Sequence, residues 1–212
     1  MNRQKTTFLG LLFLGLISLN VTCLRAQNLD IDVLKNITGN YAPQTGSVML
    51  GFTQSDTPTS LGIPAAFLVY GHFKNDQRTF FSGLEMISAQ AMNGFATHAL
   101  KISFERERPF NAYPTEIIKH TGAGSFSFPS GHTSMAFATA TSLSLLYPKW
   151  YVVIPAYAWA STVAYSRMYL GVHYPSDVLA GALIGSGISL LVHYTFKVIK
   201  RNGKLHFNML CH

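Results

Sequence analysis

Phe128-Pro129-Ser130-Gly131-His132-Thr133 is the stretch around which the chain is organised. It joins a turn dipeptide to a small hydroxyl, a glycine and an imidazole. The helical run Ser134 to Leu146 follows at once. Pro-Ser-Gly is ordinary turn chemistry and a common way to begin a helix. A helix that opens at Ser130-Gly131 also offers free backbone N–H groups and a positive dipole end to an anion. His132 then stands beside that anion. The flanking segments decide between a bare helix start and an anion site.

Working outward, Trp150 to Tyr165 and Val178 to Phe196 read as helices downstream, and Thr79 to Ile102 as a long helix upstream. Small and polar residues (Ser82, Ser88, Gln90, Asn93, Thr97) interrupt the upstream helix, as in a helix packed on protein rather than surrounded by lipid. Gly181 and Gly185 are spaced for close helix contact, inside the bundle or against another copy. Leu61 to Phe73 is apolar but short of the ~20 residues that cross a bilayer, unless it borrows Thr57 to Ser60 and tilts. Residues 27–60 are polar and mixed, and read as an N-terminal segment outside the membrane: a loop or a short amphipathic helix. Residues 1–26 carry a basic head and an apolar run, either an export signal or a first membrane helix. The helical domain is expected over 61–204, with a tail at 205–212.

Composition agrees with a membrane setting. Charged residues make up 12% of the 212-residue chain and hydrophobic ones 48%. The charged share is about half the soluble average. The net charge of +7 is scattered among apolar helices and forms no stripe, so nucleic acid is not an expected partner. The two cysteines, Cys23 and Cys211, imply no disulfide framework. The Lys74/Arg78 turn, the Lys149 turn and the Lys197 to Lys204 tail fall on one side of the membrane, the cytoplasmic one by the positive-inside rule. The loops 103–128 and 166–177 fall on the outer side and are also basic, which that rule does not explain. A site for an oxyanion does.

Those outer loops gather unusual polar residues. Lys101 closes one helix and Arg108-Pro109 follows; Ser130, Gly131 and His132 open the next; Ser166-Arg167 closes another, with His173 and Asp177 beyond it. Phosphoryl transfer needs chiefly positioning and charge stabilisation of oxygens. Arg108 and Arg167 can each grip two oxygens, Lys101 adds a compact charge, and Ser130 Oγ–H and the Gly131 N–H are further donors. His173 and Asp177 are four apart, so on a helical turn they share a face. A carboxylate on one ring nitrogen fixes the tautomer and leaves the other nitrogen nucleophilic. His132 remains to protonate a leaving alkoxide. The two histidines lack the further His or Cys partners of a zinc set, so no metal is expected.

Lys101-x6-Arg108-Pro109, Pro129-Ser130-Gly131-His132 and Ser166-Arg167-x5-His173-x3-Asp177 resemble the three-part signature of the type 2 phosphatidic acid phosphatase family. Bacterial acid phosphatases and vanadium haloperoxidases belong to the same family. The resemblance covers about residues 61–196. It implies an all-α bundle of about five to six mostly membrane-spanning helices with the site at their outer ends. It also implies hydrolysis of a phosphomonoester or pyrophosphate through a phosphohistidine, without metal or other cofactor. His173 resembles the nucleophile, Asp177 its orienting partner and His132 the general acid; Lys101, Arg108, Ser130, Gly131 and Arg167 resemble the phosphate cradle. The apolar helices favour the branch that acts on phosphorylated lipids of the bilayer, in a bacterial inner membrane with the site towards the periplasm. A soluble periplasmic acid phosphatase is the second reading. A membrane protein that binds anionic headgroups without chemistry is the third, and the His173/Asp177 pair argues against it, since anion binding alone needs no carboxylate.

Overall fold

The computed structural model describes residues 29–201, which form helices joined by short connections and one long loop, 113–130. The signal or first span expected at 1–26, the tail at 205–212 and both cysteines lie outside the described residues. Helix α1 covers residues 29–38. It is followed by α2 (Pro43–Phe73), α3 (Gln77–Phe104), the single turn α4 (Pro109–Ala112), α5 (Gly131–Leu146), α6 (Trp150–Tyr169) and α7 (Pro175–Arg201). The short turns after α2 and α5 make neighbours antiparallel. One end of the bundle therefore collects the start of α2, the end of α3, the start of α5, the end of α6 and the start of α7.

Local chemistry accounts for the boundaries. Pro43 enters α2 in its first turn, where its missing N–H costs nothing. Asp76 caps α3, accepting from Thr79 N at 3.2 Å and Thr79 Oγ1 at 2.6 Å. Glu105 ends α3 in the left-handed region, with φ 44° and its N–H on Lys101 O. The end of α5 at Leu146 and the start of α6 at Trp150 fall where the sequence put them, and other boundaries move. Helix α6 runs on to Tyr169, so Ser166-Arg167 sits in its last turn rather than in a loop, and Asp177 lies in the first turn of α7.

Residues 43–60 of the segment expected to stay outside the membrane and the short apolar run from Leu61 prove to be one 31-residue helix, α2. At 1.5 Å per residue it is about 46 Å long, more than a ~30 Å hydrocarbon core requires. It escaped a hydropathy reading because part of its polar content points inward: Thr53, Asp56 and Ser60 are all buried. The same inversion holds elsewhere. Gln90, Asn93, Ser134 and Thr139 are buried in the interior, where Asn93 Nδ2 donates to Ser134 Oγ at 3.1 Å and Gln90 Nε2 to Thr139 Oγ1 at 2.7 Å. Phe73, Phe95, Ile154, Leu183 and Leu191 face outward and are exposed. Among the described residues, α7 is the one helix long and apolar enough to cross a membrane by composition alone. The others bury part of their polar residues against one another, the pattern of helices associated through interhelical hydrogen bonds and close packing.

The glycines of α7 settle which surface they serve. A Cβ at Gly181 would lie 2.6 Å from Ser130 O, and one at Gly185 would run into Ser134 O. Both glycines therefore seat α7 directly on the backbone of α5, inside the bundle. This contact joins two of the three sequence blocks, and Ser130 N donates to Asp177 O at 3.0 Å across it.

Candidate active site

A cavity of about 280 Å³ opens at the end of the bundle where α3, α5 and α6 meet the loop before α5. Lys101, Arg108, Gly131, His132, Arg167 and His173 line it together, with Gly122 to Ser125 forming one wall. Residues more than seventy positions apart in sequence are thus brought to one space.

Each cation is held by groups behind it. Lys101 Nζ donates to Phe126 O at 2.6 Å. Arg108 spends Nε on Ser125 O at 2.7 Å and Nη1 on Val172 O at 2.9 Å, with the same Nη1 3.2 Å from His173 Nε2. Arg167 is 1% exposed, donates to Thr53 Oγ1 at 3.3 Å, and has no partner for Nε. Three cations within one small cavity repel one another, and an anion with several oxygens relieves that repulsion. Gly131 opens α5 at the cavity wall. A Cβ there would meet only Thr97 Cγ2, at 3.9 Å, so the protein's own packing does not demand glycine; the room it leaves belongs to the cavity.

His173 is buried, between Arg108 on its Nε2 side and Asp177 on its Nδ1 side, with Nδ1 3.5 Å from Asp177 Oδ2. Burial lowers its pKa to about 3, with the facing carboxylate opposing that shift, so the ring is neutral at physiological pH. Asp177 does not line the cavity; it lies behind the imidazole and is fully buried. Its Oδ2 accepts from Ser127 Oγ at 2.5 Å and Tyr174 N at 3.0 Å, and its Oδ1 from Arg106 Nη1 at 2.6 Å. Carboxylate, imidazole and cavity follow one another in the order that a nucleophilic Nε2 requires.

Ser130 differs from its expected placement. It is fully buried, is not among the residues lining the cavity, and its hydroxyl pairs with Thr133 Oγ1 at 2.9 Å. Sequence reading also missed four residues. Asp56 and Thr57 line the cavity from the part of α2 read as lying outside the membrane. Ser127 and Arg106 hold Asp177 from behind. A signal for Arg106 existed: it stands two before Arg108, and the residue before a proline is biased to extended backbone, where alternate residues share a face.

Known proteins share parts of this sequence and its fold. A family model described as the PAP2 superfamily matches residues 82–201, which include all three blocks. The undecaprenyl-diphosphatase of Sulfolobus acidocaldarius is 42% identical over 84 residues, 40% of either chain. The lipid A 4'-phosphatase of Bacteroides thetaiotaomicron is 44% identical over 69 residues, 32% of this chain and 31% of the relative. These matches span less than half the length of either relative. Among solved structures, Aquifex aeolicus LpxE superposes with a TM-score of 0.66 at 25% identity, over 78% of this chain and 95% of its own. The transmembrane PAP2-type phosphatidylglycerolphosphate phosphatase of Bacillus subtilis superposes with a TM-score of 0.70 at 29% identity, over 90% of this chain and 96% of its own. With the family model matching more than half of its length, this chain belongs to the PAP2 superfamily.

Proposed function

We propose that the chain is a membrane phosphatase that hydrolyses the phosphomonoester or pyrophosphate of a lipid through a phosphorylated His173. The observation that carries this reading is the placing of neutral His173 between buried Asp177 and a cavity walled by Lys101, Arg108 and Arg167. The exposed apolar side chains around the bundle support a bilayer setting over a soluble one. The substrates named for its relatives support a phosphorylated lipid. The basic turns at the opposite end of the bundle support an inner-membrane setting with the site towards the periplasm.

In this reading Lys101, Arg108, Arg167 and the N–H groups at the start of α5 hold the phosphoryl oxygens. His173 Nε2 attacks phosphorus; the P–N bond forms as the bond to the leaving oxygen breaks, and His132, protonated when the bound phosphate offsets the charge of the surrounding cations, gives that oxygen its proton. Asp177 accepts from Nδ1–H and offsets the positive charge that the ring acquires. Water then attacks phosphorus, His132 takes its proton, and the P–N bond breaks to release inorganic phosphate. Arg108 lies within reach of oxygens carried on Nε2 throughout. Preorganised cations in a small, partly buried site act more strongly than they would in water.

The test is phosphate release, with EDTA present, from a lipid phosphate, an undecaprenyl pyrophosphate and a soluble aryl phosphate. Wild type is compared with His173→Ala and His132→Ala. Release from the lipids that is lost in both variants is the expected result. Retention of more than about a tenth of the activity in both variants contradicts the mechanism, since such groups typically contribute at least ~100-fold. Release from the aryl ester alone points to the soluble acid phosphatase reading, and loss restored by a divalent ion points to a metal phosphatase.

A further inference from the structure

We propose that Arg106, anchored by Asp30 of α1, is a positioning residue that fixes the Asp177–His173 pair, and that α1 is thereby part of the catalytic unit. The inference rests on the reading of His173 as nucleophile. Arg106 does not line the cavity and touches no group there. Its Nη1 donates to Asp177 Oδ1 and to Ser176 Oγ, both at 2.6 Å, and its Nη2 to Asp30 Oδ2 at 2.7 Å. The guanidinium lies 3.9 Å over the Tyr174 ring. Asp30 in turn accepts from Ser176 N at 2.8 Å and from the Ser176 hydroxyl, so a residue of α1 satisfies a free N–H in the first turn of α7.

Two buried carboxylates, Asp30 at 7% exposure and Asp177 at 0%, thus share one guanidinium. A planar fork with parallel donors fixes orientation as well as charge, which an ammonium cannot do. With Arg106 on Oδ1, the other oxygen of Asp177 is left to Ser127 Oγ, Tyr174 N and His173 Nδ1. Arg106 and Arg108 therefore grip the 172–177 segment from two sides. Arg108 takes Val172 O and contacts the imidazole; Arg106 takes Ser176 and the carboxylate and covers Tyr174. Loss of Arg106 frees Asp177 to turn and leaves Asp30 without its ion pair. The nucleophile then loses its fixed tautomer while the phosphate cradle stays intact.

The experiment measures kcat and KM for Arg106→Gln, Arg106→Lys and Asp30→Asn, alone and in an Asp177→Asn background, with orthovanadate affinity measured by calorimetry on the same proteins. Arg106→Gln is expected to lower kcat about tenfold to a hundredfold, the range for a lost charge-assisted hydrogen bond, with KM unchanged within about twofold. Arg106→Lys recovers part of the loss, and Asp30→Asn shows a smaller one. In the Asp177→Asn background Arg106→Gln has no further effect on kcat, because Arg106 acts through that carboxylate; a purely structural role would add in full. Vanadate, which engages His173 without turnover, binds about tenfold more weakly to Arg106→Gln on the same argument. A kcat within twofold of wild type, a loss that adds fully to Asp177→Asn, or unchanged vanadate affinity overturns the proposal. A wild type that neither releases phosphate nor binds vanadate refutes the phosphatase reading itself, before any Arg106 variant is compared.

Discussion

Alanine at Gly185 tests how the fold brings its sequence blocks together. A Cβ there runs into the Ser134 carbonyl oxygen and lies 2.9 Å from Ser134 C and 3.0 Å from Ala138 N. All three atoms are α5 backbone, so no side chain can swing aside and α7 must move away from α5. Gly187, two residues on, has nothing within 4 Å of its Cβ position and is an internal control. Both substitutions gain about 1 kcal/mol of helix propensity. Gly185→Ala also pays an overpacking cost of about 1–3 kcal/mol, at the upper end because the obstacle is main chain. Gly187→Ala is therefore expected to melt at or above wild type, and Gly185→Ala about 1–3 kcal/mol below Gly187→Ala. The site responds as well. Ser134 is one turn from Ser130, and displacing α7 moves His173 and Asp177 relative to Gly131 and His132. A shift of about 1 Å can cost about a hundredfold in rate, so kcat falls strongly in Gly185→Ala and not in Gly187→Ala. Thermal unfolding in detergent and phosphate release measure the two effects. Equal melting and equal kcat for the two variants would refute the close α5–α7 seating as the source of site geometry.

Two further outcomes follow from the charges. His173 is neutral until about pH 3 in the folded protein, whereas an ordinary histidine protonates near 6.5. Its folded pKa is lowered, so its contribution to stability is complete above pH 6.5 and is lost as pH falls towards 3, while the unfolded chain takes up the proton. Melting temperature measured against pH is expected to fall less steeply over that window in His173→Asn than in wild type; equal slopes would contradict the burial argument. For topology, reporters fused after Lys149 should read cytoplasm and reporters within residues 113–125 should read periplasm, and the reverse pattern would invert the proposed orientation.

Much of the site was legible because its cations and imidazoles sit at helix ends, where turn residues and fixed spacings mark them. Lys101, Arg108, Gly131, His132, Arg167 and His173 meet at one cavity, and Asp177 stands behind His173. The bundle was legible from the apolar runs of α5, α6 and α7. Residues 43–60 were not, because hydropathy cannot tell a polar residue facing solvent from one facing a polar interior. Thr53 on Ser166 Oγ at 2.6 Å and Asp56 at the cavity wall are of the second kind.

The sequence by itself determined the chemistry available: which residues carry charge, which can donate, which helices begin and end beside them. Spacing within a block is a local matter, governed by the 3.6-residue turn and by Pro and Gly at the boundaries. Tertiary structure alone decided which groups serve the cavity and which stand behind it. Ser130 turned its hydroxyl to Thr133, while Ser127, three residues earlier, took the carboxylate of Asp177. Arg106 was drawn to two buried carboxylates, each on a helix more than seventy residues away, and Arg108 to the imidazole. The reason is physical: a side chain's partner depends on the distance and burial created when α7 seats on α5, and no local pattern encodes that approach.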